Sequence, residues 1–221
     1  MKSVRPQKIF SLLDEPASER VVSFPIPFQP GTGGTTALES LLLISALRTV
    51  RAKRVFEFGT FFGRTTFALA LNLLEDGEVC TLSLNNSEVG AVFQTEPNLI
   101  CARRKAESTL PMDYYRHPCR AKIRPIYGDS RAFDFTPFYS KMDLVFVDGG
   151  HEIVTLISDT ANAFRMADTG RSSCVFWHDY GFVETPGVKA YLDEVPAPGI
   201  VHIEDTSLCA WFSDSRLTER L

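Results

Sequence analysis

The chain has 221 residues, 44% of them hydrophobic and 23% charged, with a formal net charge of −4. That length supports one domain with a substantial core, and the composition is that of a folded globular protein rather than a disordered or fibrous one. The acidic balance argues against a nucleic-acid backbone as the main partner, and no apolar run is long enough to span a membrane.

Residues 1–23 show no clear periodicity and no secretory pattern. Phe24-Pro-Ile-Pro-Phe-Gln-Pro30 must be extended, because each proline biases its predecessor away from helix. It reads as a surface strap or as a lid over the active site, with Gly31-Thr-Gly-Gly34 as a hinge. Residues 1–33 are therefore an extension to the main domain. Thr36-Ala-Leu-Glu39 has the form of a capping box and opens a helix that runs to Val50.

The next stretch, Arg54-Val-Phe-Glu-Phe-Gly-Thr-Phe-Phe-Gly-Arg-Thr-Thr66, is the most informative. Val55 to Phe58 reads as a buried parallel strand. The strand stops at Gly59, Gly63 follows, and a helix begins at Thr65. Strand, glycine loop and helix are how an α/β sheet builds a nucleotide site at its carboxyl edge. The spacing is Glu57-x-Gly59-x-x-x-Gly63, not the G-x-G-x-x-G of a dinucleotide site. A carboxylate ending the strand repels phosphate and welcomes a cationic amino-acid group. A nicotinamide-dependent oxidoreductase is disfavoured for the same reason, and because the second strand, Glu78 to Leu84, lacks an acidic end.

Residues 88–118 are irregular and read as an insertion, with a short helix over Glu88 to Thr95. Strands follow at Ala121–Tyr127, Met142–Val147 and Ser173–Trp177. Between the last two, Ile153, Ile157, Thr160, Ala161 and Phe164 mark the inward face of a helix. A shorter helix covers Pro186–Val195, and Ile200–Ile203 with Leu208–Phe212 form an edge hairpin. Trp177 and Trp211 read as core. Alternating strands and helices predict a doubly wound, mainly parallel α/β sheet. The strand ends carry Glu57/Gly59, Ser83/Asn85, Gly128/Asp129/Ser130, Asp148/His151 and His178/Asp179, each directly after an apolar run. The five cysteines, Cys80, Cys101, Cys119, Cys174 and Cys209, contain no C-x-x-C pair and read as reduced thiols of a cytoplasmic protein.

The strand, carboxylate and two glycines at 54–66 resemble motif I of the class I S-adenosylmethionine-dependent methyltransferases. Tyr127-Gly-Asp-Ser-Arg131, Met142-Asp-Leu-Val-Phe-Val-Asp-Gly-Gly-His151 and Trp177-His-Asp-Tyr180 are similar to the small-molecule O-methyltransferase branch, and more distantly to the catechol O-methyltransferase type. The resemblance covers residues 34–213 and leaves 214–221 as a tail. It implies a Rossmann-like, seven-stranded, mainly parallel sheet with an antiparallel edge strand. It also implies S-adenosylmethionine binding and methyl transfer to a small molecule, at a hydroxyl oxygen, with a divalent metal such as Mg²⁺ as an optional assistant.

Carried over by position, Glu57, Gly59, Thr60, Phe61, Gly63 and Thr65 would hold the methionine end of the cofactor. Ser83 stands where a ribose-binding carboxylate is expected, with Asn85 beside it. Gly128, Asp129 and Ser130 would lie near the adenine. Asp148, adjoining the cofactor, and Asp179 match the two metal carboxylates of the catechol type. Tyr180 stands where that type has a third ligand, Asn, and His151 where it has a basic Lys. His151 could take the acceptor's proton, with His178 a second candidate base or a metal neighbour. Simpler roles also fit these residues: Asp148 and Asp179 as caps, and His178 as a buried structural histidine. Because Ser83 is neutral, a methyltransferase-like binding or scaffold protein that has lost its cofactor is the alternative reading. Neither a homo-oligomer nor a monomer is specified.

Overall fold

A computed structural model describes residues 1–14, 21–23, 25, 34–84, 116–195 and 197–221. Strand β1 is Lys2–Val4 and helix α1 Pro6–Phe10. Helix α2, Ala37–Thr49, precedes β2, Arg54–Phe58, and α3, Arg64–Asn72. Strand β3 is Glu78–Ser83, β4 Ile123–Tyr127 and β5 Leu144–Val147. Helix α4 is Ile153–Met166, β6 Cys174–Trp177 and α5 Pro186–Glu194. Strands β7, Val201–Ile203, and β8, Cys209–Phe212, lead into α6, Ser215–Arg220. The strap or lid expected at 24–30, the short helix expected at 88–95, and Asn85 and Cys101 fall outside the described residues, apart from Pro25.

The strands form one eight-stranded sheet in the order β1-β7-β8-β6-β5-β2-β3-β4. All pairings are parallel except those of β8, which runs antiparallel to both β6 and β7. The doubly wound sheet expected from the alternation of elements is present, with an eighth strand beyond the expected hairpin. That strand comes from residues 2–4, where three residues are too few for an alternating pattern to show. Its neighbour α1 buries Ile9, and Ile9 and Leu12 share a core cluster with Leu42, Val55, Leu144 and Leu221.

Two apolar layers cover the sheet. On one face α2 and α3 bury Leu42, Leu43, Leu47 and Leu69. On the other, Phe56, Phe58, Phe135 and Phe138 pack edge-on or tilted, with ring centroids 5.0–5.9 Å apart. Trp177 is fully buried there and donates its indole N–H to Thr160 Oγ1 at 3.0 Å, as its assignment to the core predicts. Asp143 pins the start of the central strands: its Oδ2 accepts from the backbone N–H groups of Lys53 and Arg54 at 2.8 and 2.9 Å.

The inward face of α4 differs from the one expected. Thr155, Leu156, Asp159, Thr160, Ala163 and Met166 are buried, whereas Ile153 and Ile157 are 45% and 47% exposed. The apolar count misplaced the stripe because the true face carries three polar residues. Asp159 is 1% exposed, and among the described residues neither carboxylate oxygen has a partner in hydrogen-bonding geometry. Burial pushes its pKa up to about 7, against the partial pull of the nearby Ser130 hydroxyl.

Two tests follow from this packing. Ile9→Ala should cost about 2–4 kcal/mol in urea unfolding, the range for an aliphatic side chain deleted from a core; a cost near zero would detach the N-terminal segment from the fold. Asp159 binds its proton more tightly when folded than when unfolded. The contribution of Asp159 to stability should therefore fall as pH rises from about 4 to about 7, by up to about 4 kcal/mol. The stability difference between Asp159→Asn and wild type should move in the variant's favour across that window; a pH-independent difference in melting temperature would contradict the assignment.

Candidate active site

Strand β2 is central and its carboxyl end opens the site. Glu57 is buried, and its Oε2 accepts the hydroxyls of Thr66, in α3, and Thr81, in β3, the latter at 2.5 Å. Thr60 Oγ1 meets Thr81 Oγ1 at 2.7 Å, and Thr65 Oγ1 meets Thr35 Oγ1 at 3.0 Å. The carboxylate is thus built into a hydroxyl network, and Thr66 and Thr81, which the motif reading did not select, orient it.

Gly59 has φ +88°, and a Cβ there would lie 1.9 Å from the carbonyl oxygen of Asp148. Only glycine allows the β2 loop to lie against the end of β5. Gly63 has φ +75° and leads into α3. Phe61, between the two glycines, is itself left-handed at φ +45° and packs on Phe62 with centroids 4.3 Å apart. A left-handed conformation is costly for an aromatic residue and marks a loop held by its surroundings.

The cofactor candidates on β3 and β4 are less convergent. Ser83 is half-buried at the end of β3, where its carbonyl accepts the Gly128 N–H at 3.1 Å. Asp129 turns toward Arg131, whose guanidinium meets it through Nε at 3.0 Å and Nη2 at 2.7 Å. That pair lowers the Asp129 pKa.

The ends of β5 and β6 bring four candidates together. His178 Nδ1 lies 3.1 Å from Asp148 Oδ1 and 3.1 Å from Asp179 Oδ1. His151 Nε2 lies 2.6 Å from Asp179 Oδ2. Asp179 sits at φ +62°, a conformation aspartate tolerates better than most residues, and its backbone carbonyl accepts the Thr185 hydroxyl at 3.2 Å. Burial alone would push the two imidazoles down, but Asp179 raises the pKa of His151, and Asp148 with Asp179 raises that of His178 well above the ordinary value. Burial would push both acids up. The charged histidines hold Asp179 well below its usual range, while Asp148, with Asp179 alongside, stays raised.

Glu39 completes the cluster from the opposite side. Its Oε2 lies 3.4 Å from His178 Nε2. Its position in the capping box disclosed the helix start, but nothing in the sequence linked it to a residue 139 positions away.

The donor set fits a divalent cation. One oxygen each from Asp148 and Asp179 and one nitrogen of His178 lie within 4.8 Å of one another. Ligands at right angles around a cation with bonds of roughly 2.1 Å are about 3 Å apart, close to the two 3.1 Å separations here. His178, expected as a base or a metal neighbour, thereby stands as a candidate third ligand beside the two acids, in place of the Asn that Tyr180 replaces. Tyr180 instead hydrogen-bonds Asp193 Oδ1 at 2.9 Å.

Among solved structures the fold has clear counterparts. An O-methyltransferase from Bacillus cereus in complex with SAH is 13% identical, with 92% of this chain and 90% of that one covered and a TM-score of 0.50. The SAH-bound methyltransferase PaMTH1 of Podospora anserina is 11% identical, with 93% and 86% covered and a TM-score of 0.53. TomG, an O-methyltransferase of tomaymycin synthesis from Streptomyces achromogenes in complex with SAM, is 17% identical, with 80% and 81% covered and a TM-score of 0.50. No curated protein sequence matches the chain. A family model described as a methyltransferase domain matches residues 56–180, which run from β2 through the Asp148 and Asp179 cluster, and the chain belongs to that methyltransferase family.

Proposed function

We propose that the protein transfers the methyl group of S-adenosylmethionine to a hydroxyl oxygen of a small molecule, with a divalent cation assisting. The observation that carries this reading is the meeting of the Glu57–Gly63 loop with Asp148, His151, His178 and Asp179 at one edge of the sheet. The glycine loop would receive the methionine end of the cofactor, and Ser83 and Asp129 would lie along its nucleoside. Methyl transfer is an in-line displacement at a sulfonium, so alignment of donor and acceptor supplies much of the rate.

Asp148, Asp179 and His178 would hold the cation, which when bound would lower the pKa of the acceptor hydroxyl and orient its oxygen. An imidazole in the set extends the choice from Mg²⁺ toward Zn²⁺ and other ions that favour nitrogen. His151, held by Asp179, would take the proton. The domain division into an extension at 1–33, a catalytic domain at 34–213 and a tail at 214–221 belongs to the same proposal, as does a cytoplasmic setting. The described cysteines, Cys80, Cys119, Cys174 and Cys209, are free and buried, which accords with that setting. No described helix is long and apolar enough to cross a membrane.

Calorimetric titration with S-adenosylmethionine and S-adenosylhomocysteine, with and without Mg²⁺, Mn²⁺ or Zn²⁺, tests the reading. Micromolar cofactor binding is expected. No binding at millimolar ligand would leave a methyltransferase-fold binding protein, the outcome that the neutral Ser83 favours. Cation affinity should rise with pH, because Nδ1 of His178 must lose its proton to ligate. Turnover that persists unchanged in excess EDTA would remove the cation.

The role of His151 has its own signature. A base works deprotonated, and Asp179 raises its pKa, so kcat should climb with pH through a value above the ordinary 6.5. His151→Ala should abolish that limb and lower kcat by about 10²–10⁴-fold while leaving cofactor affinity within twofold. A retained limb in the variant would move the base elsewhere.

A further inference from the structure

Glu39 lies in the first turn of α2, far in sequence from every motif of the site. Its side chain is 3% exposed, and both oxygens are engaged. Oε1 accepts the backbone N–H and the hydroxyl of Ser207, each at 2.8 Å. Oε2 accepts the backbone N–H of Thr36 at 2.8 Å and faces His178 Nε2 at 3.4 Å. Four donors therefore converge on two oxygens. A glutamine serves a capping box as well as a glutamate does, but here its NH₂ group would point at donors whichever way it turned. The cap alone does not call for a carboxylate; this set of partners does.

The consequence falls on His178. A group that only accepts hydrogen bonds, placed against Nε2, requires that nitrogen to carry a proton. The other ring nitrogen, Nδ1, is turned toward Asp148 and Asp179, both 3.1 Å away, and by the same rule carries the ring's second proton until a cation takes its place. Ser207 ties the arrangement to the following loop, since its carbonyl accepts the Tyr180 N–H at 3.0 Å. One serine, at the turn before β8, thus fixes Glu39 on one side and the residue after Asp179 on the other.

We infer that Glu39 is a positioning residue for the active site: through its bond to His178 Nε2 it fixes the orientation and protonated nitrogen of that ring, so that Nδ1 is presented to Asp148 and Asp179. The inference rests on the methyltransferase reading only for its effect on cation binding; the effect on the ring itself does not depend on it. Carboxylates behind a ligating imidazole commonly act in this way, and their loss costs about tenfold to a hundredfold in metal affinity.

The test uses the full chain and two variants, Glu39→Gln and Ser207→Ala. The first readout is the imidazole N–H proton resonance of His178, assigned by its absence from His178→Asn. Glu39→Gln should shift this signal or lose it to solvent exchange, and Ser207→Ala, which removes one of the four donors, should shift it less. The second readout is calorimetry with Mn²⁺, where Glu39→Gln should weaken binding by about tenfold to a hundredfold with S-adenosylmethionine affinity within twofold of wild type. If Glu39→Gln does not fold, Ser207→Ala carries the test, and an unmoved His178 resonance in a folded variant reduces Glu39 to a helix cap and overturns the inference. If the wild type binds neither cofactor nor Mn²⁺, the methyltransferase reading fails, while the resonance shift decides the positioning role on its own.

Discussion

The arrangement depends on charge balance inside a largely buried cluster. Glu39, Asp148 and Asp179 supply three carboxylates, and His151 and His178 supply two imidazoles, with His178 touching all three acids. Burial opposes every one of these charges, pushing acids up and histidines down. Contact within the cluster reverses that for His151, His178, Glu39 and Asp179; Asp148 alone remains raised. Taking out one member would leave its partners' charges where water compensates them only in part, a change more costly than loss of the pair itself.

The sheet makes this balance possible by where it changes direction. From β2 the chain builds outward on one side through β3 and β4, then crosses to the other side for β5 and β6. The switch point lies between β2 and β5, where an open α/β sheet leaves a crevice. There Gly59 lies against the Asp148 carbonyl, so the β2 loop and the β5 end form one wall. Phe56, Phe58, Phe135 and Phe138 form the apolar layer on that face of the sheet. Left-handed backbone at Phe61 and Asp179 shows that the loops on both sides of the crevice are held away from their local preference.

How far the sequence disclosed this follows from the range of each signal. Buried parallel strands are written as unbroken apolar runs, so β2, β5 and β6 were legible almost to their ends, and the polar residues after each run gave Asp148, His151, His178 and Asp179. The capping box located α2 because its signal spans four neighbouring residues. Strand β1 was hidden because its evidence is a partner, β7, at the other end of the chain. The phase of α4 was misread because Thr155, Asp159 and Thr160 turn polar side chains inward. Glu39 was seen as a cap and not as a site residue, since its bond to His178 crosses 139 positions. Contacts that depend on the fold, and on no local pattern, are the ones a sequence conceals.

The sign of the cluster bears on which half of the proposed reaction it serves. Without a cation, both imidazoles protonated against three ionised acids would leave one negative charge; a divalent cation on Asp148, Asp179 and His178 would reverse that sign, while Glu57 is a separate buried acid at the end of β2. A sulfonium donor is cationic and becomes a neutral thioether as the methyl leaves. A carboxylate such as Glu57 beside the donor would therefore stabilise the bound donor more than the transition state in which its charge is dispersing. Such an interaction aids binding without accelerating the displacement. On the proposed reading, the catalytic value of Asp148, Asp179 and the histidines would lie with the acceptor, where a hydroxyl has to lose a proton and its oxygen has to be aimed. On this proposal the glycine loop and Glu57 would serve the donor and the β5 and β6 ends the acceptor, and Gly59, lying against the Asp148 carbonyl, marks where the two halves meet.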